Sequence, residues 1–109
     1  MVSFEEFAKL DFRVAKIIDV QPVPGATKLY QLKISLGNEE RTLAAGIAQH
    51  YAPDELLGKR IIIVANLDPR KVRGIESQGM LLAAVSEDES IVSLVAPDNE
   101  DVPLGSKVT

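Results

Sequence analysis

Three cations stand close together in the sequence, at Arg70, Lys71 and Arg73, and Gly74 follows them. Between residues 59 and 76 the chain holds five Lys or Arg and two Asp or Glu, a local charge of +3, whereas the whole sequence carries −4. Cationic side chains bind phosphate oxygens, and glycine lets the backbone adopt a positive φ. This segment therefore predicts either a flexible site for a phosphate-bearing ligand or a solvated hairpin whose charges serve solubility.

The side chains that usually perform catalysis are too few for a reaction. His50 is the only histidine, which excludes metal motifs that need two. Ser77 lies in a near match to the G-x-S-x-G nucleophile motif, but Ile75 replaces the first glycine and no histidine follows the serine. The chain has no cysteine and no glycine-rich nucleotide loop. We therefore expect no enzyme activity, no catalytic residue, no metal site and no cofactor.

Length and composition are those of one small globular domain. The chain has 109 residues, of which 46% are hydrophobic and 26% charged, enough for one apolar core. Its longest apolar run, Met80–Val85, is six residues long, well below the ~20 that a membrane helix needs. The first six residues lack the apolar region of a signal peptide. These features predict a cytoplasmic protein with no membrane partner.

The acidity of the chain is concentrated in its C-terminal quarter. Residues 85–109 hold six acids and one base, a charge of −5, so residues 1–84 carry +1. Nucleic-acid-binding domains are usually basic, and the low pI of about 4.9 argues mildly against that function. The uneven distribution weakens the objection because the cationic segment lies outside the acidic quarter.

Hydrophobic periodicity indicates strands through most of the chain. Ser3 and Glu6 have the spacing of a capping box, which predicts a short helix from Phe4. Pro22–Gly25 is expected to break the first strand. We predict strands and helical turns, in order, at Phe12–Val20, Lys28–Leu36, Arg41–Gly46, Ile47–Tyr51 (helical turn), Pro53–Leu57 (helical turn), from Lys59, from Met80, and at Ile91–Val95.

Three strands, a helical connection and two further strands give the order of an OB-fold, a five-stranded Greek-key barrel. The predicted class is therefore all-β, with short helices and a C-terminal extension. We expect residues 1–109 to form one domain. Residues 1–10, with two of the three phenylalanines, and residues 85–109 are expected to lie at the interface of a homodimer.

Several short motifs resemble one family, the tRNA-binding OB-fold domains. This family includes the C-terminal domain of methionyl-tRNA synthetases (the beta subunit when separate), its free-standing counterparts and related cytokine-like domains. The resemblance covers nearly the whole chain and is carried by Asp11–Val14, Ala45–Ile47, Tyr51–Pro53, Glu55–Leu56, Gly58–Lys59, Ala65–Leu67, Arg70–Gly74 and Ser77–Ala83.

The resemblance implies which residues contact tRNA. The side chains of Arg70 and Lys71 are expected to reach phosphates, and the expected tRNA-facing residues are Asn66, Arg73, Ser77, Gln78 and Met80, with Lys28 and Gly46 nearby. Ser77 and Gln78 would form hydrogen bonds, and Ser77 is expected to lie outside the apolar core. Met80 would offer a polarizable surface to a base, although its position at the start of a strand also fits a core residue.

The function implied is structure-dependent, largely sequence-tolerant binding of tRNA, beside an aminoacyl-tRNA synthetase such as the methionyl enzyme. The chain has only five aromatic residues, two of them near the N-terminus, so extensive stacking of single-stranded bases is not expected. Recognition of the shape and backbone of a folded RNA fits this composition better. The alternative is a chaperone-like or protein-interaction module, because relatives of this fold include an export-associated chaperone.

Overall fold

The computed structural model describes residues 1–109, and strands dominate it. Two short helices interrupt ten strands. In chain order the elements are α1 Phe4–Phe7, β1 Phe12–Val23, β2 Ala26–Ser35, β3 Glu40–Ala45, α2 Pro53–Leu56, β4 Arg60–Val64, β5 Arg70–Val72, β6 Ile75–Ser77, β7 Met80–Leu81, β8 Ala83–Val85, β9 Val92–Leu94 and β10 Lys107–Val108. Neither helix is long or apolar enough to span a membrane.

Strand β1 is the central element of the fold. Its antiparallel neighbours are β2 and β4, and the main sheet has the order β3-β2-β1-β4-β7. Strands β1–β3 form a meander, and β4 pairs with the free side of β1. This is the arrangement that the sequence predicted for an OB-like barrel. The all-β, OB-like prediction is thus confirmed.

The core lies inside the curve of this sheet. In β2 the alternation predicted from sequence is observed, since Tyr30, Leu32 and Ile34 are buried while the residues between them are exposed. The β-branched run of β4, Ile61–Val64, is buried throughout. Ile18 is an extra residue between the paired positions 17 and 19 of β1, and such a bulge bends the strand around the core.

A seam forms where β3 meets the chain after β6. The Gln78 N–H donates to the Thr42 carbonyl at 2.8 Å. Two side chains continue this seam: Gln78 Oε1 accepts from the Thr42 N–H at 3.0 Å, and Ser77 Oγ accepts from the Ala44 N–H at 3.0 Å. Side-chain oxygens thus satisfy edge N–H groups of β3 that a neighbouring strand would otherwise bind.

Two predicted boundaries were wrong. The first strand does not break at Pro22, because Pro22 pairs with Tyr30 and the strand continues to Val23. A proline is tolerated there because that part of β1 has β2 as its only neighbour. The strand predicted from Met80 is divided at Leu82, since β7 pairs with β4 whereas β8 pairs with β9.

The two terminal segments lie near the same end of β1, since Phe7 of α1 packs on Phe12 and the C-terminal segment pairs with Phe12 and Arg13. Ser3 caps α1 as predicted, with its Oγ accepting from the Glu6 N–H at 3.1 Å, yet every residue of α1 remains exposed. The predicted C-terminal extension forms β10, which pairs with Phe12 and Arg13 of β1.

Candidate nucleic-acid interface

The cationic segment forms a β-hairpin of strands β5 and β6. Arg73 and Gly74 form its turn, with φ of 52° and 82°, and two consecutive positive φ values suit the tight turns that join twisted strands. The predicted positive φ at Gly74 is therefore confirmed. Arg70 pairs with Ser77 and Lys71 with Glu76, so Arg70 and Lys71 lie on opposite faces of the hairpin.

A cleft of about 290 Å³ separates this hairpin from the barrel. Small residues of the third strand and its end, Ala44 to Gly46, form its floor, and the hairpin contributes Arg70 and Val72. Its complete lining is Ala44, Ala45, Gly46, Leu67, Asp68, Arg70, Val72, Ser77, Gly79, Met80 and Leu81. Four of the residues predicted for the site, Gly46, Arg70, Ser77 and Met80, thus border one space.

Gly46 and Met80 leave this cleft open and partly apolar. A Cβ atom built on Gly46 would meet nothing within 4 Å. Packing therefore does not require a glycine at this position, but the absence of a side chain leaves more space in the cleft. Met80 is 51% exposed. The alternative that Met80 belongs to the core is therefore wrong, and its thioether is available to a ligand.

The hairpin cations have no anionic partner. None of Arg70, Lys71 and Arg73 forms a salt bridge, whereas the three ion pairs of the structure involve Arg13, Lys33 and Arg41. Lys28 and Arg73 border a second recess of about 330 Å³ beside the β1–β2 turn. Positive charge therefore extends from the cleft across the tip of the hairpin to β2.

Ser77 does not lie where the sequence predicted. It is the one buried polar residue, with 5% exposure, and its hydroxyl donates to the Gly79 carbonyl at 3.1 Å while accepting from the Ala44 N–H. The expectation that Ser77 lies outside the core was wrong. Its hydroxyl is engaged within the protein, so its contribution to the cleft is to fix the hairpin against β3.

Gln78 and Asn66 are exposed, but both side chains are held by the protein. The side-chain oxygen of Gln78, Oε1, accepts from the Thr42 N–H, which leaves the side-chain NH₂ group free. Asn66 Oδ1 accepts from the Asp11 N–H at 2.8 Å, and its Nδ2 donates to the Lys9 carbonyl at 2.6 Å. Asn66 thus connects the residues after α1 to the start of the hairpin segment and does not line the cleft.

Three residues next to the hairpin were not among those predicted for the site. Leu67 and Asp68 line the cleft, and Arg41 donates to main-chain oxygens of Ala65 and Gln78. Leu67 could have been noticed as an apolar residue in a turn, 38% exposed in the structure. No feature of the sequence distinguishes Arg41, because a cation in a strand of alternating polarity is usually exposed to solvent.

No group of three His, Cys, Asp or Glu side chains is arranged to hold a metal ion. His50 is exposed and lies outside the cleft. The pKa of Asp88 lies below its usual value because the Ser90 hydroxyl, the Ser90 N–H and the Ser86 hydroxyl donate to its carboxylate. Asp88 belongs to the turn between β8 and β9, so this shift concerns a surface turn and not the cleft.

Comparison with known proteins gives one consistent result. Residues 12–107 match the model of the family described as "Putative tRNA binding domain". The sequence is 60% identical over 107 residues, 98% of this chain, to the methionine–tRNA ligase of Pyrococcus horikoshii. The chain spans only 14% of the length of that ligase.

Two solved structures are similar over their full lengths. A MetRS-related protein from Pyrococcus horikoshii has a TM-score of 0.93 and 40% identity, with 100% of this chain and 98% of that chain covered. The chaperone CsaA from Bacillus anthracis has a TM-score of 0.89 and 31% identity, with 100% and 99% covered.

Proposed function

Because this chain belongs to the family of tRNA-binding domains, we propose that it binds tRNA through the β5–β6 hairpin and the adjacent cleft. The observation that carries this proposal is the set of unpaired cations beside a partly apolar cleft. Arg70 and Arg73 would contact phosphates, and exposed Met80 would contact a base or ribose. The protein would bind RNA and perform no chemistry itself.

The cleft favours recognition of shape over recognition of sequence. None of the five aromatic residues lines it, so bases cannot stack there on aromatic rings. Its hydrogen-bonding capacity toward base edges is also small, because Ser77 is occupied within the protein. Binding would therefore depend on the backbone and fold of the tRNA and would tolerate sequence changes.

The relation to methionine–tRNA ligases suggests where the domain acts. It corresponds to a small part of those enzymes. We propose that the domain raises the local concentration of tRNA for a synthetase, whether joined to it or beside it in the cytoplasm. Linked binding modules increase effective concentration without new contacts at the active site.

A homodimer is the proposed assembly. Phe4 is 80% exposed and Phe7 44% exposed on α1, and Val85, Ile91 and Val95 are exposed in the C-terminal region. Large apolar side chains left on a surface commonly mark an interface, and most soluble oligomers are two-fold dimers. Residues 1–10 and 85–109 would form this interface and leave two hairpins available for RNA.

A second candidate function is binding of unfolded polypeptides. It is favoured by one observation, the likeness to the chaperone CsaA at 31% identity. The exposed apolar side chains of Leu67 and Met80 in the cleft could contact a peptide. The unpaired cations favour RNA, since they add nothing to the binding of an apolar peptide.

Retention of tRNA by the protein at several salt concentrations tests the proposal. If about three or four phosphates are neutralised, log K should fall with log salt with a slope of roughly −2 to −4. Binding of an unfolded protein, measured in parallel, should show little dependence on salt. An affinity for tRNA that stays constant between low and moderate salt would contradict the role of the cations.

A further inference from the structure

The guanidinium of Arg41 lies behind the hairpin and contacts both ends of the segment that carries it. Its Nη1 donates to the Ala65 carbonyl, where β4 ends, and at 3.3 Å to the Gln78 carbonyl, just after β6 ends. Residues 66–77, which include the whole hairpin, lie between these two oxygens. A single side chain on β3 thus joins the start and the finish of the hairpin segment.

Glu39 holds that guanidinium in place. Arg41 Nε and Nη2 donate to the two carboxylate oxygens of Glu39, each at 3.3 Å. Two parallel hydrogen bonds from a planar guanidinium to a carboxylate fix the orientation of the plane. Because the plane is fixed, Nη1 is directed at the two main-chain oxygens. Lysine could not reproduce this arrangement, since its ammonium has no fork.

We propose that Arg41 is a positioning residue, which sets the height of the hairpin over the cleft and thereby aligns Arg70 and Arg73 with tRNA phosphates. This inference rests on the proposed function. The other contacts of the segment each reach one end only: Asn66 binds the residues after α1, and Ser77 binds β3. Arg41 is the side chain whose hydrogen bonds join both ends.

Direct contact of Arg41 with a phosphate does not explain the geometry. Its side chain is only 22% exposed, and Nε, Nη1 and Nη2 all donate within the protein. Arg70 and Arg73 are exposed and unpaired by comparison. The charge of Arg41 is also neutralised by Glu39, so its release of counterions from RNA would be small.

The test compares Arg41→Lys and Arg41→Met with a matched control, Arg13→Met. Arg13 also donates to a carboxylate, of Asp11 at 2.7 Å, and to a main-chain carbonyl, of Gly105 at 3.2 Å. It is similarly placed at the barrel edge but holds the C-terminal segment instead of the hairpin. A difference between the two sites therefore reports on the hairpin and not on the loss of any partly buried arginine.

The first measurement uses the free protein. Amide hydrogen exchange of residues 70–78 should become faster in both Arg41 variants, whereas exchange in β1 and β4 should stay near that of the wild type. Arg13→Met should leave residues 70–78 unchanged. Faster exchange throughout the barrel, or none in the hairpin, would overturn the proposal, because a general loss of stability or a loose solvent-exposed arginine would explain those results.

The second measurement is tRNA affinity as a function of salt. Both Arg41 variants should bind about tenfold more weakly, with an unchanged salt slope, because the hairpin cations remain but are misaligned. If Arg41→Lys restores affinity and Arg41→Met lowers the slope by about one unit, Arg41 is a phosphate contact and the proposal is wrong. Wild-type protein that retains no tRNA would refute the proposed function alone, since the exchange rates would still decide whether Arg41 holds the hairpin.

Discussion

The hydroxyl of Ser77 shows how one polar atom can shape a site without touching a ligand. It is buried and bonded to both sides of the barrel seam, to Ala44 of β3 and to Gly79 after β6. From sequence it was grouped with the RNA contacts because of its polarity and motif. Its partners instead place it among the residues that keep the cleft walls together.

Replacement of Ser77 by alanine should therefore reduce stability. The Ala44 N–H would lose its side-chain partner in a partly buried setting, at a cost of about 1–3 kcal/mol. Denaturant unfolding of the two proteins measures this difference. Ser93→Ala is the control, because Ser93 is exposed on β9 and its hydroxyl makes no hydrogen bond within the protein. Equal stability of Ser77→Ala and wild type would contradict the seam described for this residue.

Arg73 makes the opposite prediction, a loss of binding without a loss of stability. Its φ of 52° is one that asparagine adopts readily, so Arg73→Asn removes the charge and keeps the turn. The variant should bind every tRNA more weakly, by ~1–3 kcal/mol, and lower the salt slope by about one unit. A salt titration with a thermal melt checks both effects.

Lys59→Gln serves as the control for Arg73→Asn. Lys59 directly precedes the first residue of β4 and lines a recess other than the cleft. Its loss should leave the salt slope nearly unchanged. If Arg73→Asn instead lowers the melting temperature by many degrees and leaves the slope unaltered, this arginine has a structural role.

At the scale of elements, the hairpin depends on a close approach at its C-terminal end. Gly79 has a φ of 145°, and a Cβ atom there would lie 3.0 Å from the Val64 carbonyl and 3.3 Å from Leu43 Cδ2. Gly79→Ala should therefore destabilise the protein by about 1–3 kcal/mol and displace the chain after β6. Thermal unfolding provides the measurement.

Gly46→Ala is the matched substitution for that experiment. The same methyl group meets nothing within 4 Å at this position, so the melting temperature should stay close to that of the wild type. Since the methyl would stand on the floor of the cleft, tRNA affinity should fall. A fold that tolerates alanine equally at both glycines would contradict the close packing after β6.

The sequence predicted the elements that contribute to the core and missed those that depend on distant partners. Period-two alternation identified β2, and the β-branched run identified β4, because each pattern reflects local burial. The division at Leu82 and the strand at Lys107–Val108 arise from pairings with remote segments. No local pattern encodes such a pairing.

The positions of the candidate-site residues were likewise predicted correctly where local features mark them and incorrectly where distant partners decide their role. Arg70 and Met80 were found because charge and motif mark them, and the structure places both at the cleft. Asn66, Ser77 and Gln78 were also marked by the motif, but each has a hydrogen-bond partner that lies 33 or more positions away. Whether a polar side chain serves a ligand or the fold depends on such partners, which only the three-dimensional arrangement reveals.

At the scale of the whole molecule, the proposed dimer makes a prediction about Phe4. Phe7 packs against Phe12 of the same chain, with ring centroids 5.7 Å apart, whereas Phe4 is 80% exposed. Phe4→Ser should therefore weaken dimerisation and leave the fold of the monomer intact. Light scattering over a range of micromolar concentrations measures the mass, and wild-type protein that is monomeric throughout would refute the dimer.

The position of strand β1 among its neighbours has a consequence for synthesis. Residues 12 and 13 of β1 pair with 108 and 107, on the side that β2 occupies further along, and residues 12–16 pair with β4 on the other side. A ribosome that has delivered residues 1–45 has therefore released a three-stranded meander whose first strand still has an open side. Such an edge can pair with other chains. The rate at which the remaining residues emerge thus sets how long each nascent domain is exposed to aggregation.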